Sequence, residues 1–258
     1  MARIVLWLLL GATLINPQAF GNPKEIRVGG YLFEPFLSTK GVAPKGLTAD
    51  LIALFNQHQT KYHFKLVLTS PKRRYMDFER HLFDVMFFES IHWGWENKSV
   101  VASKVFLNGG EVYIALQKKG RTQQFFDRIN EKSISGILGY HYGFANFVSD
   151  ESILKKRFQI SLVNSPKTVI NQVLAEKVEI GVITESFLNK ELMSNTDMGK
   201  KLLVSEKYDQ VYHHTILLRK NLVDLDIEAI NRLLNSMESN GALGALFKKY
   251  GLAHDKGR

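Results

Sequence analysis

Cysteine is absent from the 258 residues, which excludes a disulfide scaffold, a thiolate metal site, an iron–sulfur cluster and a cysteine nucleophile. The same absence removes the lipid-modified N-terminal cysteine that would tether an exported chain to a membrane. Proline is scarce, at 6 residues, and no proline-rich linker, internal repeat or low-complexity tract interrupts the chain. No apolar run reaches the roughly 20 residues that a bilayer span needs. Strong catalytic signatures are missing too: there is no G-x-S-x-G, no H-E-x-x-H and no P-loop. Gly29-Gly30 lacks the rest of a dinucleotide fingerprint. His213-His214 is a poor metal pair, because neighbours on a strand point to opposite faces.

What is present is ordinary globular composition, with 45% hydrophobic, 23% charged and 11% aromatic residues. Collagen-like and wholly disordered classes are thereby excluded, and the length allows one large domain or two that each bury a core. The N-terminus has its own logic. Arg3 precedes an apolar run of 12 residues, Ile4 to Ile15, too short to span a bilayer but fitting a signal-peptide core. Ala19-Phe20-Gly21 supplies the small residues of a cleavage site. Residues 1–21 are therefore read as a signal peptide, and the mature chain as a periplasmic protein secreted by a double-membraned bacterium. Losing Arg3 leaves 33 Lys+Arg against 25 Asp+Glu, a net charge of 33 − 25 = +8. Its basic residues lie in short, scattered pairs and triplets such as Lys72-Arg73-Arg74 and Lys155-Lys156-Arg157, which read as solvated helix faces and argue against nucleic acid.

Strand-like runs rich in Val, Ile, Phe and Tyr fall at 25–28, 64–68, 84–88, 111–116, 134–138, 161–163, 180–184 and 214–218. Helical periods lie between them. Thr48 is read as the cap of a helix burying Leu51, Leu54 and Phe55, and Ser70-Pro71 as the start of one carrying Tyr75, Phe78 and Leu82 on one face. Ser165-Pro166 opens a third, over Val169, Ile170, Val173 and Leu174. The stripe Ile227, Ile230, Leu234 and Met237 stops at Asn240-Gly241. This βαβ order predicts an α/β protein with parallel sheet flanked by helices.

From Glu25 to Leu252 the order of segments resembles the family 3 extracellular solute-binding proteins, amino-acid receptors of ABC transport systems. Ile26-Arg27-Val28-Gly29 followed by Phe33-Glu34-Pro35-Phe36 resembles their first strand and aromatic-x-Pro-Phe loop. Lys45-Gly46-Leu47-Thr48-Ala49-Asp50-Leu51 is similar to their Gly-Phe-Asp-x-Asp-Leu helix start. Leu82-Phe83-Asp84-Val85 occupies the place of a Gly-x-x-Asp-x segment whose glycine is missing. Ile134 to Tyr140, Val178 to Glu185 and Ile230 to Gly251 resemble later segments in the same order. The resemblance implies a two-lobed periplasmic binding protein fold (type II) with two crossing hinge strands. Lobe 1 would span 22–111 plus 215–258, lobe 2 would span 112–214, and a ligand would be held between them.

One departure from the family pattern bears on the ligand. A Thr-x-x-Arg after the third strand usually grips the ligand carboxylate, but here those places hold Trp93 and Glu96. The amine-binding acid is represented by Glu185. By the resemblance, the candidate ligand-binding residues are Phe33, Glu89, Trp93, Trp95, Glu96, Tyr140, His141, Tyr142 and Glu185. Phe33 takes the place of a ligand-stacking aromatic, and Trp93, Trp95, Glu89, Glu96 and Glu185 favour a cation, since aromatic faces attract organic cations by about 0.5–2 kcal/mol. The two tryptophans equally suit the lobe core, and the tyrosines equally suit packing. Arg73 and Arg74 either replace the missing clamp or face solvent, the second being the preferred reading.

These residues imply a monomeric receptor for a small polar, amino-acid-like or amine-bearing ligand, serving an ABC permease or a membrane sensor without cofactor, metal or catalysis. Two alternatives stay open. One is a dehydratase-like enzyme on the same scaffold, with Glu185 or His141 as acid or base if Arg73 or Arg74 supplies the cation. The other is a stand-alone sensor or accessory protein.

Overall fold

The computed structural model describes residues 22–252 apart from 39, 40 and 42; the expected signal peptide, residues 1–21, lies outside them. In chain order the elements are β1 (Lys24–Gly30), α1 (Leu47–His58), β2 (Tyr62–Leu68), α2 (Arg74–Glu79), β3 (Val85–Glu89), β4 (Val100–Ala102) and β5 (Leu107–Leu116). There follow β6 (Ile134–Ile137), α3 (Glu151–Arg157), β7 (Ile160–Val163), α4 (Pro166–Leu174), β8 (Ile180–Thr184), α5 (Glu185–Ser194) and α6 (Thr196–Lys201). The last are β9 (Leu202–Arg219), α7 (Ile227–Ser239) and α8 (Ala242–Lys249).

The strands join in the order β2-β1-β3-β9-β5-β8-β6-β7, with β4 also on β9. At one end β1 is parallel to β2 and β3; at the other β6 is parallel to β7 and β8. The two parallel ends meet through antiparallel β5 and β9, which pair from Leu107↔His214 to Leu116↔Leu202. The apolar core divides along this seam. One cluster runs from Ile26 to Leu107 and resumes from Tyr212 to Phe247. Two smaller clusters hold residues between Val112 and Leu202. These bodies are called lobe 1 and lobe 2 below.

Helix starts follow local chemistry. The Ser165 side chain accepts the Thr168 N–H at 3.2 Å, with Pro166 at the first helical position of α4. Val169, Ile170 and Val173 are buried beneath it. Asp226 accepts the Ala229 N–H at 2.6 Å and starts α7, whose Ile230, Leu234 and Met237 are buried at helical spacing. For α1 the cap differs from expectation: Gly46, not Thr48, is the N-cap, at φ +126°. A Cβ there would lie 2.6 Å from the Phe36 carbonyl oxygen, so the close approach leaves room only for glycine. Thr48 sits inside the helix beside buried Leu47, Leu51, Ile52 and Phe55. Burying Leu51 and Phe55 contributes about 1.5–3 kcal/mol each.

The expected helix at Ser70 is shorter than its pattern. Ser70 begins a turn, α2 covers only Arg74–Glu79, and Leu82 lies beyond it, 44% exposed. The stop is set at His81, with φ +57°. Its N–H bonds to the Phe78 carbonyl and the Leu82 N–H to that of Asp77, the closing bonds of a left-handed helix stop. His81 stands three residues before Asp84, where the family pattern has its glycine. The backbone at His81 has the left-handed conformation that glycine favours. A left-handed non-glycine residue costs about 1–2 kcal/mol, and His81 is exposed and free to change. His81→Gly is predicted to raise unfolding stability by about 1 kcal/mol, read as a higher urea midpoint with an unchanged slope; a lower midpoint would refute the strain at this stop.

Candidate functional site

β5 and β9 run between the two cores, so residues that face inward from either lobe converge on them. Lobe 1 contributes Tyr31 and Phe33 from the loop after β1, Arg74 from the start of α2 and Trp93 from the turn after β3. Lobe 2 contributes Gly139, Tyr140 and His141 from the turn after β6, and the crossing strands add Glu111, Gln210 and Tyr212. Together they enclose a cavity of about 20 Å³, room for one water.

The lobes touch directly around it. The Tyr75 hydroxyl lies 2.8 Å from His141 Nε2, and the Phe33 and Tyr140 rings meet edge to face at 5.6 Å. Gly139, at φ +82°, lies so near lobe 1 that a Cβ would come within 3.2 Å of Pro71. Gln210 spans the seam: its Oε1 accepts Trp93 Nε1–H at 3.2 Å, while its Nε2 donates to Glu111 at 2.7 Å and to the His141 carbonyl.

Arg74 departs most from expectation. The preferred reading placed it in solvent with Arg73; Arg73 is exposed, but Arg74 is only 2% exposed and lines the cavity. Its guanidinium donates to the Pro71 carbonyl and, at 3.3 Å, to that of Trp93, and its Nε lies 3.4 Å from Glu89 Oε1. The Tyr75 and Tyr31 rings cover it at 4.4 and 5.1 Å. Burial opposes its charge, yet Glu89 and the tyrosine oxygens outweigh that and shift its pKa upward.

Glu89 reaches this position through a break in β3. Pairing with β9 shifts between Met86↔Leu217 and Glu89↔Thr215, and Phe88 there takes φ +57° while its ring packs against Phe36, Phe106 and His214. Such a bulge re-aims the next side chain. Glu89 is fully buried, facing Arg74, the Trp95 indole and the Tyr31 hydroxyl. Its two oxygens, Arg74 Nε and Trp95 Nε1 complete no hydrogen bond of full geometry, although the Trp95 indole and the Tyr31 hydroxyl stand close enough to favour the charged carboxylate. Burial raises its pKa, against the pull of Arg74.

The other titratable groups of the cavity are shifted toward their uncharged forms. Burial, reinforced by Asp209, pushes Glu111 well above the usual carboxyl range. Asp209 itself accepts the N–H groups of Gly143 and Phe144 at 2.7 and 2.9 Å and the Tyr113 hydroxyl at 2.5 Å. Burial and then Arg74 lower His141 to about 4, although its Nδ1 lies 2.6 Å from the Phe147 carbonyl. Tyr31, Tyr140 and Tyr212 are raised by burial.

Of the sequence candidates, Phe33, Trp93, Tyr140 and His141 line the cavity, and Glu89 stands behind Arg74. Trp95 is fully buried in the lobe core against Tyr75 and Phe78. Tyr142 is equally buried, donating to the Ile137 carbonyl from within the core of lobe 2. Glu96 is half exposed, 3.7 Å from His92. Glu185 opens α5, accepts the Tyr208 hydroxyl at 2.9 Å and lines a separate cleft with Asn108 and Asn189. Residues not singled out are Tyr31, Glu111, Gln210 and Tyr212. A signal existed for two of them: Gln210, Tyr212 and His214 are buried at alternate positions while Val211 and His213 are exposed, the period of a half-buried strand. His213-His214 divides in the same way, and among the described residues no His, Asp and Glu group is arranged to hold a metal ion.

Beside the central cavity lies a cleft of about 350 Å³, within the range of small-molecule sites. It shares Tyr140 and is walled by Leu32 and Glu34 of lobe 1 and by Asn164, Thr168 and Asn171 of lobe 2.

No protein-family profile and no curated protein sequence matches the chain. Solved structures do match. Tv2483 bound to L-arginine aligns with TM-score 0.70 at 13% identity, over 89% of this chain and 92% of its own. The GluR0 ligand-binding core in complex with L-glutamate aligns with TM-score 0.70 at 12% identity, over 89% and 99%. A putative ABC-transporter binding component from Wolinella succinogenes, complexed with lysine, aligns with TM-score 0.67 at 17% identity, over 87% and 94%. At these identities the shared property is the fold, the two-lobed type II architecture.

The buried pair yields a prediction. Arg74→Ala leaves the Glu89 carboxylate buried without its counter-charge and is expected to cost about 3–5 kcal/mol. The double change Arg74→Met with Glu89→Leu removes both charges and is expected to recover most of that loss. Urea unfolding of the two variants checks this; equal stability losses would show that the pair is not coupled.

Proposed function

We propose that this chain is an exported solute-binding protein of the family 3 type, which captures a small polar, amino-acid-like ligand between its lobes for an ABC permease. Lobe 1 would comprise residues 22–111 and 215–258, and lobe 2 residues 112–214. The observation that carries this reading is the cavity at the seam, where one buried cation, Arg74, meets five aromatic rings and the turn after β6. Arg74 supplies the carboxylate-gripping charge that Trp93 and Glu96 do not, from a different element. Tyrosine hydroxyls and Gln210 add directional hydrogen bonds, and Phe33, Trp93 and Tyr212 supply apolar faces. Solved proteins of the same fold hold arginine, glutamate and lysine.

Seating such a ligand requires the lobes to part, since the central cavity admits one water. Contacts that must break include Tyr75 with His141, Trp93 with Gln210, and Phe33 with Tyr140. Ligand would then stabilise the re-closed form, as hinge closure does in two-lobed receptors.

One observation keeps an enzymatic reading in view. Arg74 and His141 line the same cavity as Glu111, whose carboxyl is pushed upward by burial, so a cation, a candidate base and a candidate acid share one site. A protein of this fold is described as a precursor of cyclohexadienyl dehydratase.

A thermal-shift screen of the purified protein against amino acids, amines and cyclohexadienyl acids, with product analysis of each hit, separates the readings. Ligand at about 100 times its dissociation constant adds about 2.7 kcal/mol and raises the midpoint by several degrees. Recovery of the ligand unchanged supports the receptor, and conversion supports the enzyme. The Arg74→Met/Glu89→Leu double variant is expected to bind a carboxylate-bearing hit at least about 30-fold more weakly, the equivalent of losing about 2 kcal/mol. Undiminished binding would remove Arg74 from the site.

A further inference from the structure

Arg74 enters the cavity with its charge already matched. Glu89 lies 3.4 Å from its Nε, and both side chains are almost wholly withdrawn from water. Several groups face Glu89 across this space. Arg74 and Tyr75 come from α2, Tyr31 follows β1, and Trp95 belongs to the turn after β3. His214 lies on the paired strand β9, next to Thr215, whose hydroxyl donates to the Glu89 carbonyl. Tyr140 and His141 line the opposite wall. Among these only Arg74 carries charge near neutrality: the phenols are shifted upward, and His141 and His214 are lowered to about 4 and about 3, burial being the main cause in each case. Glu111, which also lines the cavity, is shifted well upward by burial. Arg74 therefore meets its counter-charge within the cavity wall, one guanidinium against one carboxylate.

We infer that Glu89 is a specificity-determining residue of this pocket: by cancelling Arg74 it makes the site select ligands of zero net charge over anions, and it admits an anion only by taking up a proton itself. The inference rests on the receptor reading proposed above. A zwitterion placed against Arg74 adds no net charge. A net anion adds one that nothing else in the enclosure balances, and an unbalanced buried charge is costly. Protonating Glu89 restores the balance. The geometry permits that exchange, because Glu89 is fully buried 3.4 Å from Arg74 Nε, where a ligand anion on Arg74 would compete for the same guanidinium. Burial already raises its pKa, so a second negative charge on Arg74 pushes in the same direction.

L-glutamine and L-glutamate, isosteric and one charge apart, test this by isothermal titration of wild type and Glu89→Gln. At about pH 8 wild type is expected to bind glutamine at least about tenfold more tightly than glutamate, and Glu89→Gln to shrink or invert that ratio. Lowering the pH to about 6 should narrow the wild-type ratio through Glu89 protonation, with a clearly smaller change in Glu89→Gln, whose residual slope reports Glu111. Equal affinities in wild type, or a ratio unchanged by the substitution, would overturn the inference while leaving the receptor reading intact. If Glu89→Gln does not fold, the pH dependence of the wild-type ratio decides alone, and a flat ratio overturns the inference. Failure of both amino acids to bind either protein would instead overturn the receptor reading for α-amino acids, and the inference with it.

Discussion

The antiparallel ladder of β5 and β9 is the constraint on which the rest of the molecule hangs. Two parallel sheets with separate cores are joined through it, because β3 pairs with β9 on one side and β8 with β5 on the other. The pairing register runs on from one lobe into the other, but it shifts at Glu111/Val112 and again before Ile114. Those irregularities fall where the cores change over. They also fall where Glu111, Asp209 and Gln210 leave plain strand packing and turn to the seam. A bulge bends a strand and frees a residue from its ladder, so one local device both bends the shared ladder and delivers polar groups to the seam.

Charge at the centre is better understood as selectivity than as stability. A buried ion pair rarely gains over well-packed apolar residues, because desolvation consumes most of the attraction. Arg74 and Glu89 go further: several of their polar atoms complete no hydrogen bond. Phe88, forced to φ +57° beside them, adds backbone strain at the same place. A sequence optimised for stability alone would not keep an incompletely satisfied pair and a strained aromatic together. They are intelligible if the site must offer Arg74 to a ligand and hold its charge in check meanwhile.

Legibility followed burial pattern. The eight strand-like runs were readable because β-branched and aromatic residues filled them, and the caps at Ser165 and Asn240-Gly241 were readable because capping chemistry is local. β4 escaped because three residues carry no period. The first half of β9 escaped because it reads Ser-Glu-Lys-Tyr-Asp-Gln, polar on both faces until Gln210 turns inward. Phe33, Trp93, Tyr140 and His141 could be placed through segment order. Arg74 was misread because Lys72-Arg73-Arg74 looks like a solvated triplet, and its partner Glu89 sits on a separate strand. Which arginine of the triplet turns inward depends on the turn at Ser70–Arg73, a tertiary outcome no spacing rule encodes.

The cation does not depend on a single turn for its position. Arg74 is instead fixed by two carbonyls, of Pro71 in its own turn and of Trp93 in the turn after β3. Trp93 in turn is bound through its indole to Gln210 on β9, and through its carbonyl to the Tyr75 hydroxyl at 2.5 Å. The guanidinium is thus held by α2, by the turn that would otherwise have carried it, and by the crossing strand. This set is tied to lobe 2 as well, since Tyr75 and Gln210 also meet His141. The position of the charge and the closed state of the cleft are therefore set by one connected set of bonds. A displacement of the Arg74 guanidinium would therefore be felt in both lobes.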